Sequence, residues 1–156
     1  MCKTMHCHFL DIVDDVLKDI PIDVEAKIFE LGCGTGAVLK RIRQIYDSDV
    51  IIGGSDLSYN AIEVARKTFP EESNHFYVIS MTDKNNFVTE NTQDIVISFG
   101  AFAMYLYKDD MELALIEALR YLAVHCEHFW FQKWAFNNWK KIARFSSFLP
   151  NFCNIL

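Results

Sequence analysis

The segment that most constrains the fold of this chain is a glycine-rich stretch, residues 28–39, with the sequence IFELGCGTGAVL. Its first part has the apolar character of a buried strand, and the apolar residues after the glycines recur at helical spacing. Gly32, Gly34 and Gly36 lack a Cβ atom, so the backbone between strand and helix can turn sharply. A ligand can also lie against bare main chain at the helix N-terminus. The segment therefore predicts a strand–turn–helix unit that binds a nucleotide-like cofactor.

Strands and helices alternate along the rest of the chain. Apolar runs predict five strands, at residues 26–31, 50–55, 76–79, 94–99 and 128–131. Helical periodicity predicts helices at residues 9–20, 36–46 and 58–69, one preceding the fifth strand, and one at residues 135–145. This alternation implies right-handed crossovers and a parallel sheet covered by helices on both faces.

Three helices have predicted caps or buried faces. Val38, Leu39 and Ile42 begin the apolar stripe of the first helix after the glycines. Ser58 is expected to cap the next helix. The inner face of that helix is predicted to hold Ile62, Ala65 and Phe69. Asp109 or Asp110 is expected to cap the helix before the fifth strand, whose predicted buried stripe is Met111, Leu115, Ile116, Leu119 and Leu122.

The predicted topology brings several separate features to one edge of the sheet. Ligands of parallel sheets bind beyond the carboxyl ends of the strands, at the topological switch point. Asp56 follows Gly36 by 20 positions and ends the second strand. The glycine turn, Asp56, residues 81–83 and residues 99–100 all fall at such ends. One crevice is therefore the expected binding site. The polar stretch at residues 83–93 follows the third strand, with only Phe87 and Val88 to pack.

The glycine turn has two interpretations. As Gly32-x-Gly34-x-x-Ala37 it satisfies the dinucleotide fingerprint, with Asp56 as the ribose-binding acid. This would suit an NAD-dependent oxidoreductase, although the remaining chain offers no second mononucleotide-binding half. With Glu30 included, the pattern becomes Glu-x-Gly-x-Gly-x-Gly. Spacing alone does not decide between them.

The second pattern resembles motif I of the class I S-adenosylmethionine-dependent methyltransferases, and the resemblance extends beyond the turn. Residues 54–69, GSDLSYNAIEVARKTF, resemble the second motif of that family, and residues 94–106, DIVISFGAFAMYL, resemble its fourth. Together the similar segments span about residues 26–133. The resemblance implies a Rossmann-like, doubly wound, mostly parallel α/β fold in a single domain, residues 1–156, with its core at about residues 24–134.

The resemblance also implies S-adenosylmethionine as the cofactor and a role for each matching position. Glu30 would orient the turn and help hold the ammonium group, and Asp56 would accept both ribose hydroxyls. Leu57 would pack on the adenine, and the backbone of Phe99 would lie near the sulfonium. The methionine and ribose side would be lined by Gly32, Cys33, Gly34 and Gly36.

The adenine and acceptor sites match the family less closely. In this family an acid often follows the third strand and binds the adenine amine, but Met81 stands at that position here. Backbone groups of Met81 and Thr82 would then recognise the adenine, with Asp83 as a weaker candidate. No Asn-Pro-Pro-Tyr-type sequence follows the fourth strand, and this favours a small-molecule methyl acceptor. Tyr105 is a candidate pocket residue. No catalytic residue is identified, because methyl transfer needs a base only when the nucleophile carries a proton.

Composition limits the partners and the compartment. The net charge of −6 argues against nucleic acid, and no apolar run is long enough to cross a membrane. The five cysteines have irregular spacing, and no signal peptide is recognised, so we expect a cytoplasmic protein. The cluster Cys2, His6, Cys7 and His8 lacks a second ligand pair, so no metal site is predicted.

The end of the chain is short for this family. About 23 residues follow Lys133, and they do not have the pattern of a helix and a two-stranded hairpin. We therefore expect the terminal antiparallel hairpin to be absent. The fifth strand would then be an edge, covered by the aromatic tail, by a second copy in a homodimer or by a partner chain. A cofactor-binding module without catalytic activity is a third hypothesis, beside the methyltransferase and the oxidoreductase.

Overall fold

The computed structural model describes residues 14, 22–46, 49–99, 101, 107–122 and 129–131. Within these residues, strands and helices alternate as the sequence predicts. The elements in chain order are β1 (Lys27–Leu31), α1 (Ala37–Tyr46), β2 (Ile51–Asp56), α2 (Tyr59–Thr68), a 3₁₀ helix (Ser73–His75), β3 (Phe76–Val78), β4 (Ile95–Ser98), α3 (Lys108–Tyr121) and β5 (Phe129–Phe131).

The strands form one parallel sheet in the order β3-β2-β1-β4-β5. The chain proceeds outward from β1 to β3 on one side and then returns to β4 on the other side. The switch point therefore lies between β1 and β4, where the crevice is expected. The prediction of a doubly wound parallel sheet is confirmed.

The two faces of the sheet have different cores. Side chains alternate across β1, so Ile28 packs in one apolar cluster and Phe29 in the other. The first cluster contains the inner faces of α1 and α2 as predicted, namely Val38, Leu39, Ile42, Ile62, Ala65 and Phe69. The second includes Ala114, Ala118 and Tyr121 of α3. Helices thus cover both faces, which fixes the strand ends that carry the site.

The start of α2 and the middle of β2 also agree with the sequence. Ser58 is the N-cap of α2, and its Oγ accepts a hydrogen bond from the Ala61 N–H at 3.3 Å. Gly53 lies against neighbouring backbone, since a Cβ there would be 2.9 Å from the carbonyl oxygen of His75. A side chain at this position would displace the 3₁₀ helix from the sheet.

Helix α3 differs from its prediction in two respects. Its N-cap is Tyr107, without a side-chain hydrogen bond, so Asp109 and Asp110 lie in the first turn, where they face the positive end of the helix dipole. Ile116 is 54% exposed, because the small residues Ala114 and Ala118 form the contact with the sheet. Three other members of the predicted stripe, Met111, Leu119 and Leu122, do contact the apolar cluster, so the prediction is wrong at Ile116 and correct at these three.

Several sequence predictions lie outside the described residues. They concern the first and last predicted helices, the Cys2–His8 cluster, Tyr105 and the covering of the β5 edge. Among the residues that the structure describes, no helix is long and apolar enough to span a membrane.

Candidate cofactor site

The glycine turn is bound to the end of β2 by its own backbone. The N–H groups of Gly32 and Cys33 both donate to the carbonyl oxygen of Ser55, at 2.7 and 2.9 Å. The Gly36 N–H donates to the carbonyl oxygen of Cys33 at 2.9 Å, and α1 begins immediately afterwards. The turn therefore lies at the carboxyl edge of β1 and β2, next to the switch point.

The three glycines have the left-handed backbone that the turn requires, but their surroundings differ. Their φ angles are +73° at Gly32, +52° at Gly34 and +79° at Gly36. A Cβ on Gly32 would lie 2.3 Å from the Cβ of Ala101, and one on Gly36 would lie 2.8 Å from the ring of Phe69. A Cβ on Gly34 would meet nothing within 4 Å. Gly34 therefore presents bare main chain to open space.

Asp56 reaches back from the end of β2 to this open glycine. Its Oδ2 accepts the Gly34 N–H at 2.9 Å, and its Oδ1 accepts the Ser58 N–H at 2.8 Å. Each carboxylate oxygen retains a lone pair for a further donor. The side chain is partly exposed, so a ligand on the turn can reach it. The fixed carboxylate suits recognition of two vicinal hydroxyls.

Glu30 is a buried carboxyl group beneath the turn. It is 2% exposed, and its Oε2 has no hydrogen-bond partner. Burial raises the pKa of this carboxyl well above its usual range, and the charge of Asp56 raises it further. A buried acceptor without a partner is costly, so the group is suited to a donor supplied by a ligand or by water.

Cys33 contributes shape rather than reactivity. Its thiol lies over β2, where a Cβ on Gly54 would be 2.8 Å from the Sγ atom. Burial raises the pKa of the thiol, and the charges of Glu30 and Asp56 add to this effect. The thiol therefore stays protonated and is not a nucleophile.

The connection after β3 brings the predicted adenine-side residues to the same edge. The Cε of Met81 lies 3.1 Å from the position of a Cβ on Gly32, so residues 81–82 adjoin the glycine turn. Thr82 is oriented by Ser80, whose Oγ accepts the Thr82 N–H at 3.2 Å. Ser80 was not predicted, and its only sequence signal is a hydroxyl at the end of an apolar run.

Leu57 and Phe99 lie at two other strand ends. The side chain of Leu57 is 74% exposed, whereas Phe99 is buried in the core cluster that also contains Cys33. Next to Phe99, the Ser98 hydroxyl donates to the carbonyl oxygen of Leu31 at 2.8 Å and joins β4 to β1 at the switch point. All ten predicted site residues thus belong to one edge of the sheet.

Among the described residues, no group of histidine, cysteine and acidic side chains could hold a metal ion.

Comparison with known proteins identifies a family and a fold. The model of the methyltransferase domain family matches residues 28–125, which is more than half of the chain. Among curated proteins, none matches the chain significantly in sequence.

Solved structures share the fold. The TehB-like S-adenosylmethionine-dependent methyltransferase of Corynebacterium glutamicum is 22% identical, with a TM-score of 0.64 over 87% of this chain and 70% of that one. A structure described as an S-adenosylmethionine-dependent methyltransferase, from Methanococcus maripaludis, is 18% identical, with a TM-score of 0.57 over 94% of this chain and 68% of that one. Geranyl diphosphate methyltransferase, in complex with geranyl diphosphate and sinefungin, is 19% identical, with a TM-score of 0.58 over 79% of this chain and 43% of that one.

The family match covers the part of the chain that builds the site. The chain covers between 40% and 70% of the length of these and five other solved structures with the same fold. The matched residues include the glycine turn, Asp56 and the strand ends around them. The chain therefore belongs to the methyltransferase domain family, and the sequence prediction of a Rossmann-like methyltransferase with S-adenosylmethionine as its cofactor is confirmed at the level of that family.

Proposed function

We propose that this chain binds S-adenosylmethionine across the glycine turn and transfers its methyl group to a small-molecule acceptor. The observation that carries the proposal is the pairing of Gly34 with Asp56. The glycine leaves open space above the main chain, and the carboxylate beside it is fixed by two backbone N–H groups. The ribose of the cofactor would lie against Gly34 and bind both oxygens of Asp56 through its hydroxyls.

Glu30 supports the orientation of the methionine end. Its unpartnered, buried Oε2 suits the cofactor's ammonium group, either directly or through water. Leu57 and the backbone of Met81 and Thr82 would hold the adenine. The backbone of Phe99, at the switch point, would lie near the sulfonium. Gly32, Cys33 and Gly36 would shape the turn that these groups surround.

The chemistry requires alignment more than acid–base assistance. When bound, S-adenosylmethionine supplies a methyl group on a cationic sulfur, which is already activated for displacement. The chain's contribution is then to hold the donor so that the acceptor attacks in line with the breaking bond. The protonated Cys33 thiol does not compete as a nucleophile.

Calorimetry with S-adenosylmethionine, S-adenosylhomocysteine and NAD tests the cofactor assignment. We expect both methionine derivatives to bind and NAD to bind far more weakly.

Asp56→Ala should weaken binding of both derivatives by about 1–3 kcal/mol, the scale for charge-assisted hydrogen bonds. Asp94→Ala is the matched control, because Asp94 accepts the Lys27 N–H at 2.8 Å at the opposite end of the sheet. Tight binding of NAD without the methionine derivatives would reject the proposal.

Methyl transfer to a small molecule is tested by following labelled methyl groups. The net charge of −6 and the missing amine-methyltransferase sequence after β4 support such an acceptor. One relative of the same fold is a geranyl diphosphate methyltransferase. With a cell extract as the source of acceptors, label should appear in an acid-soluble product that chromatography separates from S-adenosylmethionine. Label in precipitated protein or nucleic acid would contradict the small-molecule assignment. Cofactor binding without transfer to any acceptor would favour a non-catalytic module.

A further inference from the structure

The connection between β3 and β4 has few apolar side chains to hold it in place. Val88 is buried and Met81 packs against the same apolar cluster, but Phe87 is 62% exposed and stacks on Tyr77 with a centroid distance of 5.5 Å. The conformation of the connection, including Met81 and Thr82, must therefore depend largely on hydrogen bonds. Three of the side-chain bonds come from the last turn of α3, two from Arg120 and one from Tyr121.

Arg120 is the centre of this attachment. Its Nη2 donates to the backbone carbonyl of Asn85 at 2.6 Å and to Oε2 of Glu117 at 2.6 Å. Its Nε donates to the same carboxylate oxygen at 3.0 Å, and the guanidinium lies 4.8 Å from the centre of the Tyr121 ring. The Arg120 and Glu117 side chains are 13% and 7% exposed, so the pair is screened little by solvent. The guanidinium is thus held in one orientation.

Asn85 carries the attachment from α3 to the turn at residues 80–83. Its Nδ2 donates to the Tyr121 hydroxyl at 2.6 Å and to the carbonyl oxygen of Asp83 at 3.2 Å. The Asp83 N–H in turn donates to the carbonyl oxygen of Ser80 at 3.2 Å. A continuous series of hydrogen bonds therefore runs from α3 to the backbone beside Met81 and Thr82.

We propose that Arg120 and Tyr121 are positioning residues that hold, through Asn85, the turn at residues 80–83 in the conformation that recognises the adenine amine. The inference rests on the proposed function, since it assigns the adenine to Met81 and Thr82. It makes α3 a determinant of cofactor specificity, although neither positioning residue belongs to the predicted contact set.

Loss of the Arg120 side chain leaves the buried Glu117 carboxylate without its partner and should lower stability, but it should not detach the whole connection. The far end of the connection is held independently by backbone bonds, in which the N–H groups of Asn91 and Thr92 donate to the carbonyl oxygens of Arg120 and Tyr121 at 3.0 Å. The guanidinium has one contact at this end, from its Nη1 to Oε1 of Glu90 at 3.3 Å, but the Glu90 side chain is 57% exposed and this pair is screened by solvent. The effect of a substitution should therefore concentrate at the near end of the connection, at residues 80–85.

The test compares two ligands that differ only at the N1–C6 edge of the base, where the inosine derivative also has N1 protonated. S-Adenosylhomocysteine carries an amine at C6 of the base, and S-inosylhomocysteine carries a carbonyl oxygen there. The wild-type chain should prefer the adenosine derivative. Arg120→Gln should raise the Kd for that ligand about five- to tenfold, the scale of one ordinary net hydrogen bond. It should change the Kd for the inosine derivative less than about twofold, so that the preference is lost.

Tyr121→Phe provides a milder variant, and Arg43→Gln provides the matched control. The phenylalanine keeps the ring packed against Phe29 but removes the hydroxyl that accepts from Asn85, so the preference should fall by about threefold. Arg43 also pairs with a glutamate, Glu72, donates to a backbone carbonyl, Val50, and lies over a ring, that of Phe69. It does so at the opposite end of β2. Its substitution should leave the preference between the two ligands unchanged.

The possible results separate this inference from the proposed function. Equal weakening of both ligands in Arg120→Gln and Tyr121→Phe, or no change in either, would overturn the positioning role while leaving cofactor binding intact. A wild-type chain that does not distinguish the two ligands would also overturn it. A wild-type chain that binds neither S-adenosylmethionine nor S-adenosylhomocysteine would overturn the proposed function and the inference together.

Discussion

The glycine turn and the connection after β3 meet at one edge of the sheet, but they are held by different kinds of interaction. The turn is held by backbone N–H groups that donate to the carbonyl of Ser55 and the carboxylate of Asp56. The near end of the connection is held to α3 by the side chains of Arg120 and Tyr121, 35 and 36 residues away from Asn85. One side of the proposed site is therefore built by main chain, and the other by distant side chains.

This difference determines which substitutions each side tolerates. The turn is sensitive where a new Cβ would collide or where the left-handed backbone would be strained, at its glycines. The connection is sensitive to residues of α3 that are remote from it in sequence. Gly32 lies where the glycine turn meets the connection after β3, because a Cβ on it would approach Met81 as well as Ala101.

Gly32→Ala should therefore produce the largest effect on stability. The added Cβ would lie 2.3 Å from the Cβ of Ala101, and φ is +73°. Left-handed strain of about 1–2 kcal/mol and overpacking of about 1–3 kcal/mol together predict a loss of about 3–4 kcal/mol. Urea denaturation measures the free energy of unfolding. A loss below about 1 kcal/mol would mean that the turn and Ala101 move apart readily, contrary to a rigid junction.

Gly34→Ala is the counterpart that separates folding from binding. Its φ is +52°, but the new methyl group would enter open space. We expect a loss of stability of only about 1 kcal/mol and a larger loss of affinity for S-adenosylhomocysteine. If Gly34→Ala retained full affinity, the cofactor would not lie on this glycine.

The same comparison explains what the sequence could predict. Gly34, Asp56 and Ser58 lie in the turns of two consecutive strand–turn–helix units, so the strand pattern and their spacing were sufficient to place them at one edge of the sheet. The position of Ile116 was predicted wrongly, because the burial of α3 depends on small alanines and on Glu117 being neutralised by Arg120. A prediction from hydrophobic periodicity places charged residues on the exposed face, so it cannot identify a buried ion pair.

The attachment of Asn85 to α3 could not have been predicted for a different reason. Its partners are 35 and 36 residues away, and no local pattern relates them. Only the packing of α3 on the sheet brings them together. The main-chain side of the site is therefore encoded locally, whereas the side-chain side requires the tertiary structure.

A pH-dependent effect, similar in size to the loss of stability in Gly34→Ala, concerns Glu30, beneath the main-chain side. Its raised pKa means that the folded chain keeps a proton that the unfolded chain releases, starting near pH 4.5. The contribution of Glu30 to stability is therefore fully present below that pH and is lost as pH rises through the pKa of the folded state. Between pH 5 and pH 6 the wild type should lose up to about 1.4 kcal/mol relative to Glu30→Gln in urea denaturation. Asp56→Asn should lower the pH at which this loss ends, because it removes the nearby charge. An unchanged difference between wild type and Glu30→Gln over this range would show that the carboxyl is solvated, and the main-chain side would then lack the buried, unpartnered acceptor assigned to it.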